Sequence, residues 1–226
     1  MPPPPQLRPP PPPPQPRQPT PHIHRHTRRP VVVYSDAMFR RLRPGAAELW
    51  RNARGAPFSR VGFVVFVPGR SRPIVSRLVL PPWVYNYLSQ ESHTLIQQAE
   101  LIAAVGVYRT LPDLLREEAA VHFVDNTGAL SNLIHGYASR PACGRLVNAF
   151  HLMLADLRCK VWLEWVPSKA NVADLPSRDE DEPILDAIEA AGFGDGFDEV
   201  DFNLPPMASW RAPLATFATI SAGRSP

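Results

Sequence analysis

Val31-Val32-Val33-Tyr34-Ser35-Asp36 is the stretch on which the reading of the fold turns. Three β-branched residues and a tyrosine run together without a polar break and close on Ser-Asp. An unalternating apolar run of this kind is the pattern of a strand buried on both faces, with helices on either side of its sheet. A second strand pattern, Val121–Asp125, also closes on an aspartate. In open α/β sheets ligands bind outside the carboxyl ends of the strands, near the point where the strand order reverses. One aspartate there reads as the start of a turn. Two on neighbouring parallel strands would bring like charges together, an arrangement that a cation between them relieves.

Outward from these two strands the remaining elements follow. Strand patterns lie at Val61–Val67 and Ile74–Leu80, separated by the turn pair Pro68-Gly69. Helical spacing runs from about Ser92 to Arg109, then over Ala129–Tyr137 and Arg145–Leu157, with a last short helix over Val172–Ser177. Val161–Val166 is a further strand. Three strands in succession followed by β–α alternation predict an α/β fold. Its five-stranded mixed sheet would join three antiparallel strands to parallel ones, flanked by helices. Residues 37–60 are rich in arginine (Arg40, Arg41, Arg43, Arg51, Arg54) and broken by Pro44, Gly45, Gly55 and Pro57. They read as an insertion, either a substrate-binding arm or a disordered loop, with room for a short helix at Ala46–Asn52.

Charge is distributed unevenly. Residues 1–30 hold 14 prolines, five arginines and no acid, the composition of a polyproline II or disordered leader. Residues 179–201 hold ten acids and no Lys or Arg, and 179–226 is expected to be an acidic, mostly flexible tail. The intervening 31–178 is the predicted folded domain, with 17 basic and 11 acidic side chains. Such a basic body suits contact with phosphate backbones; arginine-favouring codon usage explains the same excess. Cys143 and Cys159 stand in no ligand spacing, which argues against a disulfide framework or structural zinc. His22, His24 and His26 alternate in the leader without further ligands nearby. With no apolar run long enough for a membrane span and no secretory signal, the expected location is intracellular, cytoplasm or nucleus.

Two more acids complete the candidate site. Glu100 lies four residues after Ile96 and three before Ala103, on the helix stripe that should face the sheet. A glutamate buried there is costly unless paired or bound to metal; at the edge of the stripe it would reach solvent. In Pro167-Ser168-Lys169-Ala170-Asn171-Val172-Ala173-Asp174-Leu175-Pro176-Ser177-Arg178, Asn171 reads as an N-cap and Asp174 falls in the first helical turn. Hard carboxylate oxygens suit Mg²⁺ or Mn²⁺ rather than zinc.

The order Asp, Glu, Asp, Asp on first strand, first helix, fourth strand and last helix resembles the ribonuclease H-like superfamily. Tyr34-Ser35-Asp36-Ala37, Gln98-Ala99-Glu100-Leu101 and Phe123-Val124-Asp125-Asn126 resemble the ribonuclease H domains of retroelement reverse transcriptases. The 167–178 segment is the most specific, and is similar to the end of such domains in DIRS-like retrotransposons. The resemblance covers roughly residues 31–178. It implies hydrolysis of the RNA strand of RNA–DNA hybrids with two Mg²⁺ or Mn²⁺ ions. Asp36 would bridge both ions, Glu100 and Asp125 would complete one site, and Asp174 the other. It also offers Asn126, Ser168, Asn171 and Arg178 as substrate contacts, and a reverse transcriptase domain of the parent element as partner. Two features depart from the family pattern: no histidine precedes the last acid, and residues 37–60 are long.

Other readings use parts of the same pattern. A 3′–5′ exonuclease of the superfamily would carry a glutamate where Met38 stands. An integrase or transposase would end on glutamate, not on Asp174. A descendant that binds nucleic acid or a partner without cutting is the alternative of a different class.

Overall fold

The computed structural model describes residues 29–40, 58–88, 95–178, 181–192 and 196–204. The leader and most of the arginine-rich segment lie outside these residues, as does the short helix expected at Ala46–Asn52.

The apolar run that opens at Val31 forms β1 (Val31–Arg40), which lies inside a mixed sheet. It pairs antiparallel with β2 (Phe58–Phe66), which pairs antiparallel with β3 (Ile74–Val79). On its other side it runs parallel to β4 (Ala119–Val124), and β4 parallel to β5 (Lys160–Trp165). These are the five strands expected. A sixth, β6 (Asp198–Glu199), pairs in parallel with β3, giving the order β5-β4-β1-β2-β3-β6.

One strand boundary differs in a way that matters. The expected first strand stopped at Asp36, whereas β1 continues to Arg40 because β2 supplies partners as far as Arg40↔Phe58. Its pairing with β4 does stop earlier, at Ser35↔Val124. The supposed 37–60 insertion therefore begins and ends inside a long hairpin.

Helices α1 (Pro82–Leu88), α2 (Ile96–Thr110) and α3 (Pro112–Leu115) follow the hairpin strands. Pro82 is the first residue of α1, a position where its missing N–H costs nothing. Helices α4 (Thr127–His135) and α5 (Pro141–Leu157) connect β4 to β5. Every residue of α2 from Gln98 to Val107 is buried, so this helix has no solvent face to pattern. It packs against β1 and β2 on one side and against α4 and α5 on the other. Val31, Val33, Ala37, Val61, Phe63 and Val65 meet it from the sheet.

Inside that core sits one polar group of three. The His122 ring lies 2.8 Å from the Ser35 hydroxyl through Nε2 and 3.1 Å from the Tyr108 hydroxyl through Nδ1. Burial pushes the imidazole down to about 3, so it is neutral at ordinary pH.

The opposite face of β1–β3 is covered by α6 (Asp174–Arg178) and α7 (Asp181–Ala190). Ile184 and Ile188 of α7 bury against Val64, Val75 and Ala173. Residues 179–226 are expected to be mostly flexible, with a short helix around Ile184–Ala190; among the described residues that helix is α7, and residues 196–204 are also tied to the fold. Asp198 pairs with Arg70 (2.7 Å) and Arg72 (3.2 Å), and Glu199 with Arg77 (2.9 Å). Phe202 drops into the main core beside Phe63 and fills the space that Gly106 leaves, where any Cβ would collide with its ring. Ile184, Ile188 and Phe202 anchor the acidic stretch.

Candidate metal centre

Because pairing between β1 and β4 ends at Ser35↔Val124, the next residues on the two parallel strands are Asp36 and Asp125. Neighbouring strands lie about 4.8 Å apart, so the two carboxylates start from adjacent backbone positions. Beyond this row the β4 side of β1 has no strand partner, and the freed backbone amide of Ala37 hydrogen-bonds the Glu100 carboxylate that α2 delivers there. Oxygens of Asp36, Glu100 and Asp125 all lie within 4.8 Å of one another.

The electrostatics follow from burial and crowding. Asp36 is 3% exposed, and burial lifts its carboxyl to about 7. The Ser177 hydroxyl and Arg178 oppose that rise, while Asp125 and Asp174 add to it. Glu100, also 3% exposed, is held well above the usual carboxylate range, first by burial and then by Asp36 and Asp125. Its Oε2 has no hydrogen-bond partner. A buried carboxylate oxygen left without a donor, facing two further carboxylates, is costly unless a cation draws the three together. The donor set is all hard oxygen, which fits Mg²⁺ or Mn²⁺.

Asp174 is placed differently. It starts α6 and makes an ion pair with Arg178 one turn on, at 2.7 Å. It lies outside the three-carboxylate cluster, yet close enough for its charge to raise Asp36 and Glu100.

The other residues singled out from sequence take these positions. Asn126 caps α4, its side chain accepting from the Ala129 amide at 3.0 Å. Ser168 opens an exposed 3-10 turn, Ser168–Ala170. Asn171 is buried and ends the 3-10 turn; its side-chain oxygen accepts from the Ala173 amide at 3.2 Å, and because α6 begins only at Asp174 it is not the helix N-cap expected. Its amide donates to the Ser35 carbonyl (3.2 Å) and to Asp36 Oδ1 (3.4 Å). Arg178 reaches Asp174 as described.

Two residues at the centre carried no assignment from sequence. Ser177 donates to Asp36 Oδ2 at 2.5 Å from a fully buried position on α6. Gly62 pairs with Asp36 across β1–β2, and a Cβ there would lie 2.9 Å from the Ser177 amide nitrogen. A glycine inside a strand marks a close approach of another backbone, a signal that Gly62 carries in the sequence itself. Nothing comparable singles out Ser177 before its place beside Asp36 is known. Trp165, at the end of β5, donates from its indole to the Asp125 carbonyl at 3.1 Å.

No family model matches the chain, and no curated protein matches it. Among solved structures it is similar to ribonuclease H1 from the halophilic archaeon Halobacterium salinarum: 14% identity, TM-score 0.46, 68% of this chain and 98% of that one covered. It is also similar to the N-terminal ribonuclease H domain of a Mycobacterium tuberculosis protein, solved as a fusion with maltose-binding protein. There the identity is 18% and the TM-score 0.39, with 71% and 97% of the two chains covered. The chain itself is defined by its mixed α/β sheet and by a buried carboxylate cluster where the central parallel strands part.

Proposed function

We propose that the chain is a metal-dependent ribonuclease H that hydrolyses the RNA strand of RNA–DNA hybrids. The observation that carries this reading is the convergence of Asp36, Glu100 and Asp125 within 4.8 Å, with a buried glutamate oxygen left unpartnered among them. Asp36, Glu100 and Asp125 would hold the divalent cations, with Asp174 at the margin. Bound there, Mg²⁺ or Mn²⁺ supplies Lewis acidity toward a phosphodiester and lowers the pKa of a ligated water. The protein's own part is to keep three carboxylates converged at the end of paired strands, and to exclude other donors from Glu100. Selection of the RNA strand would come from its 2′-hydroxyls, read across the wide minor groove of the hybrid. Asn126, next to Asp125 in the chain, and the exposed Ser168 are the candidate contacts to the substrate backbone. The 167–178 motif supports descent from a DIRS-like retroelement, whose reverse transcriptase domain would be the natural partner.

A second reading is a domain that binds nucleic acid without cutting it. The ion pair of Asp174 with Arg178 favours it, since the fourth acid is then engaged elsewhere. The two readings separate on incubating the full chain with an RNA–DNA hybrid, duplex RNA and duplex DNA, each with Mg²⁺, Mn²⁺ or EDTA. Cutting of the hybrid alone, at internal positions and lost in EDTA, is the expected result. Binding without cutting in any metal would favour the second reading, and stepwise trimming from 3′ ends would point to an exonuclease.

A further inference from the structure

We propose that Ser177 and Asn171 are positioning residues that fix the Asp36 carboxylate from above, and that Gly62 is the gap through which α6 delivers them. The inference rests on the metal-centre reading and deepens it. Asp36 projects from an inner strand, and a buried carboxylate with free rotation about its terminal torsion would not hold one ligand geometry. Each of its oxygens instead receives a different donor: Oδ2 the Ser177 hydroxyl at 2.5 Å, Oδ1 the Asn171 amide at 3.4 Å.

Both donors are themselves held in place. Asn171 is tied to the Ser35 carbonyl at 3.2 Å and to the Ala173 amide at 3.2 Å. Ser177 also approaches the Asp174 carbonyl, at 2.9 Å, within its own helix. A carboxylate oxygen has two lone-pair directions, so one donor on each oxygen leaves a second direction on each for a cation. The close seating of α6 depends on Gly62, because a Cβ at that position would lie 2.9 Å from the Ser177 amide nitrogen and 3.2 Å from Pro176. The short helix after the last loop thus orients the central ligand as well as carrying Asp174. Outer partners of this kind typically change metal affinity about 10–100-fold when removed.

The test is calorimetric titration of the full chain with Mn²⁺ alone, without nucleic acid, for wild type, Ser177→Ala and Asn171→Ala. Melting of each metal-free protein is followed in parallel. Ser177→Ala is expected to weaken Mn²⁺ binding on the order of 10-fold, and Asn171→Ala, with its longer hydrogen bond, less. In cleavage assays the Mn²⁺ concentration for half-maximal rate should rise more than the rate at saturating Mn²⁺ falls. A Mn²⁺ affinity within twofold of wild type in both variants would overturn the inference and leave the metal centre standing. A wild-type chain that bound no Mn²⁺ would overturn both. Should Ser177→Ala fail to fold, Asn171→Ala decides by the same criterion.

Discussion

Asp36 and Asp125 on one side, and Asp174 on the other, are held by different kinds of structure. The first two follow a hydrogen-bonded register, Ser35↔Val124, between adjacent parallel strands deep in the sheet. Their separation cannot change without breaking a ladder that continues through five strands. Asp174 sits on a five-residue helix and is 27% exposed, restrained by one ion pair to Arg178. A partly exposed pair of that sort contributes little stability and re-forms easily. On the proposed reading, the sheet-borne acids would define where cations bind, and the helix-borne acid would adjust to what is bound.

The sharpest way to break that contrast is to neutralise each acid in turn. Asp36→Asn or Asp125→Asn should reduce hybrid cleavage by roughly a thousandfold or more, since a lost ligand forfeits several kcal/mol of charge stabilisation. Asp174→Asn should cost on the order of tenfold and respond to higher Mn²⁺, in keeping with its place at the margin. Equal losses in single-turnover rates would erase the distinction between the two regions.

Next in size is the seat of α6. Gly62→Ala places a methyl group against the Ser177 backbone, so the helix must lift from β2. Destabilisation of about 1–3 kcal/mol is expected from overpacking, together with weaker Mn²⁺ binding. Denaturant melting and metal titration of the same protein measure both. An unchanged affinity would detach α6 from the metal centre.

A smaller effect separates the carboxylates from the core beneath them. Asp36 titrates near 3.8 when unfolded and about 7 in the metal-free fold. Between those values the fold binds a proton that the unfolded chain has released. This group's contribution to stability is therefore full below about pH 4 and lost as pH rises through about 7. Glu100, also raised, acts in the same direction. His122 does the reverse: unfolded it takes up a proton near 6.5 and folded only at about 3, so its contribution is lost as pH falls below 6.5. The melting temperature of the metal-free protein should thus fall from about pH 5 to pH 8, the two carboxyls outweighing the one imidazole. Mn²⁺ should raise it most at the upper end, where it has fewer protons to displace. A metal-induced shift independent of pH would contradict the assignment of Asp36 and Glu100 as ligands.

Sequence reading went furthest where the physics was local. The unbroken Val31–Tyr34 run announced a strand covered on both faces, and Ser-Asp at its end marked where the carboxylates gather. Glu100 stood out because a charge on an apolar stripe needs a reason. What stayed hidden was set by tertiary contact. The extension of β1 to Arg40 depends on β2 continuing as its partner, which no local pattern in 37–60 reveals. The packing of the described residues after 178 depends on Ile184, Ile188 and Phe202, whose partners lie far off in the chain. Ser177 is an ordinary serine until α6 is laid over Gly62. Asn171 closes the 3-10 turn instead of capping α6, and its hold on Asp36 spans 135 residues of chain.

The most direct test of the central claim is the rate at which the full chain cuts a labelled RNA strand annealed to DNA, in Mg²⁺, for wild type and Asp125→Asn side by side. Asp125 is the proposed ligand that owes its place most simply to strand register. Internal cutting by wild type, lost in Asp125→Asn while the variant still binds the hybrid, is the result predicted. Equal cutting by both proteins, or hybrid bound by wild type and never cut, would contradict it.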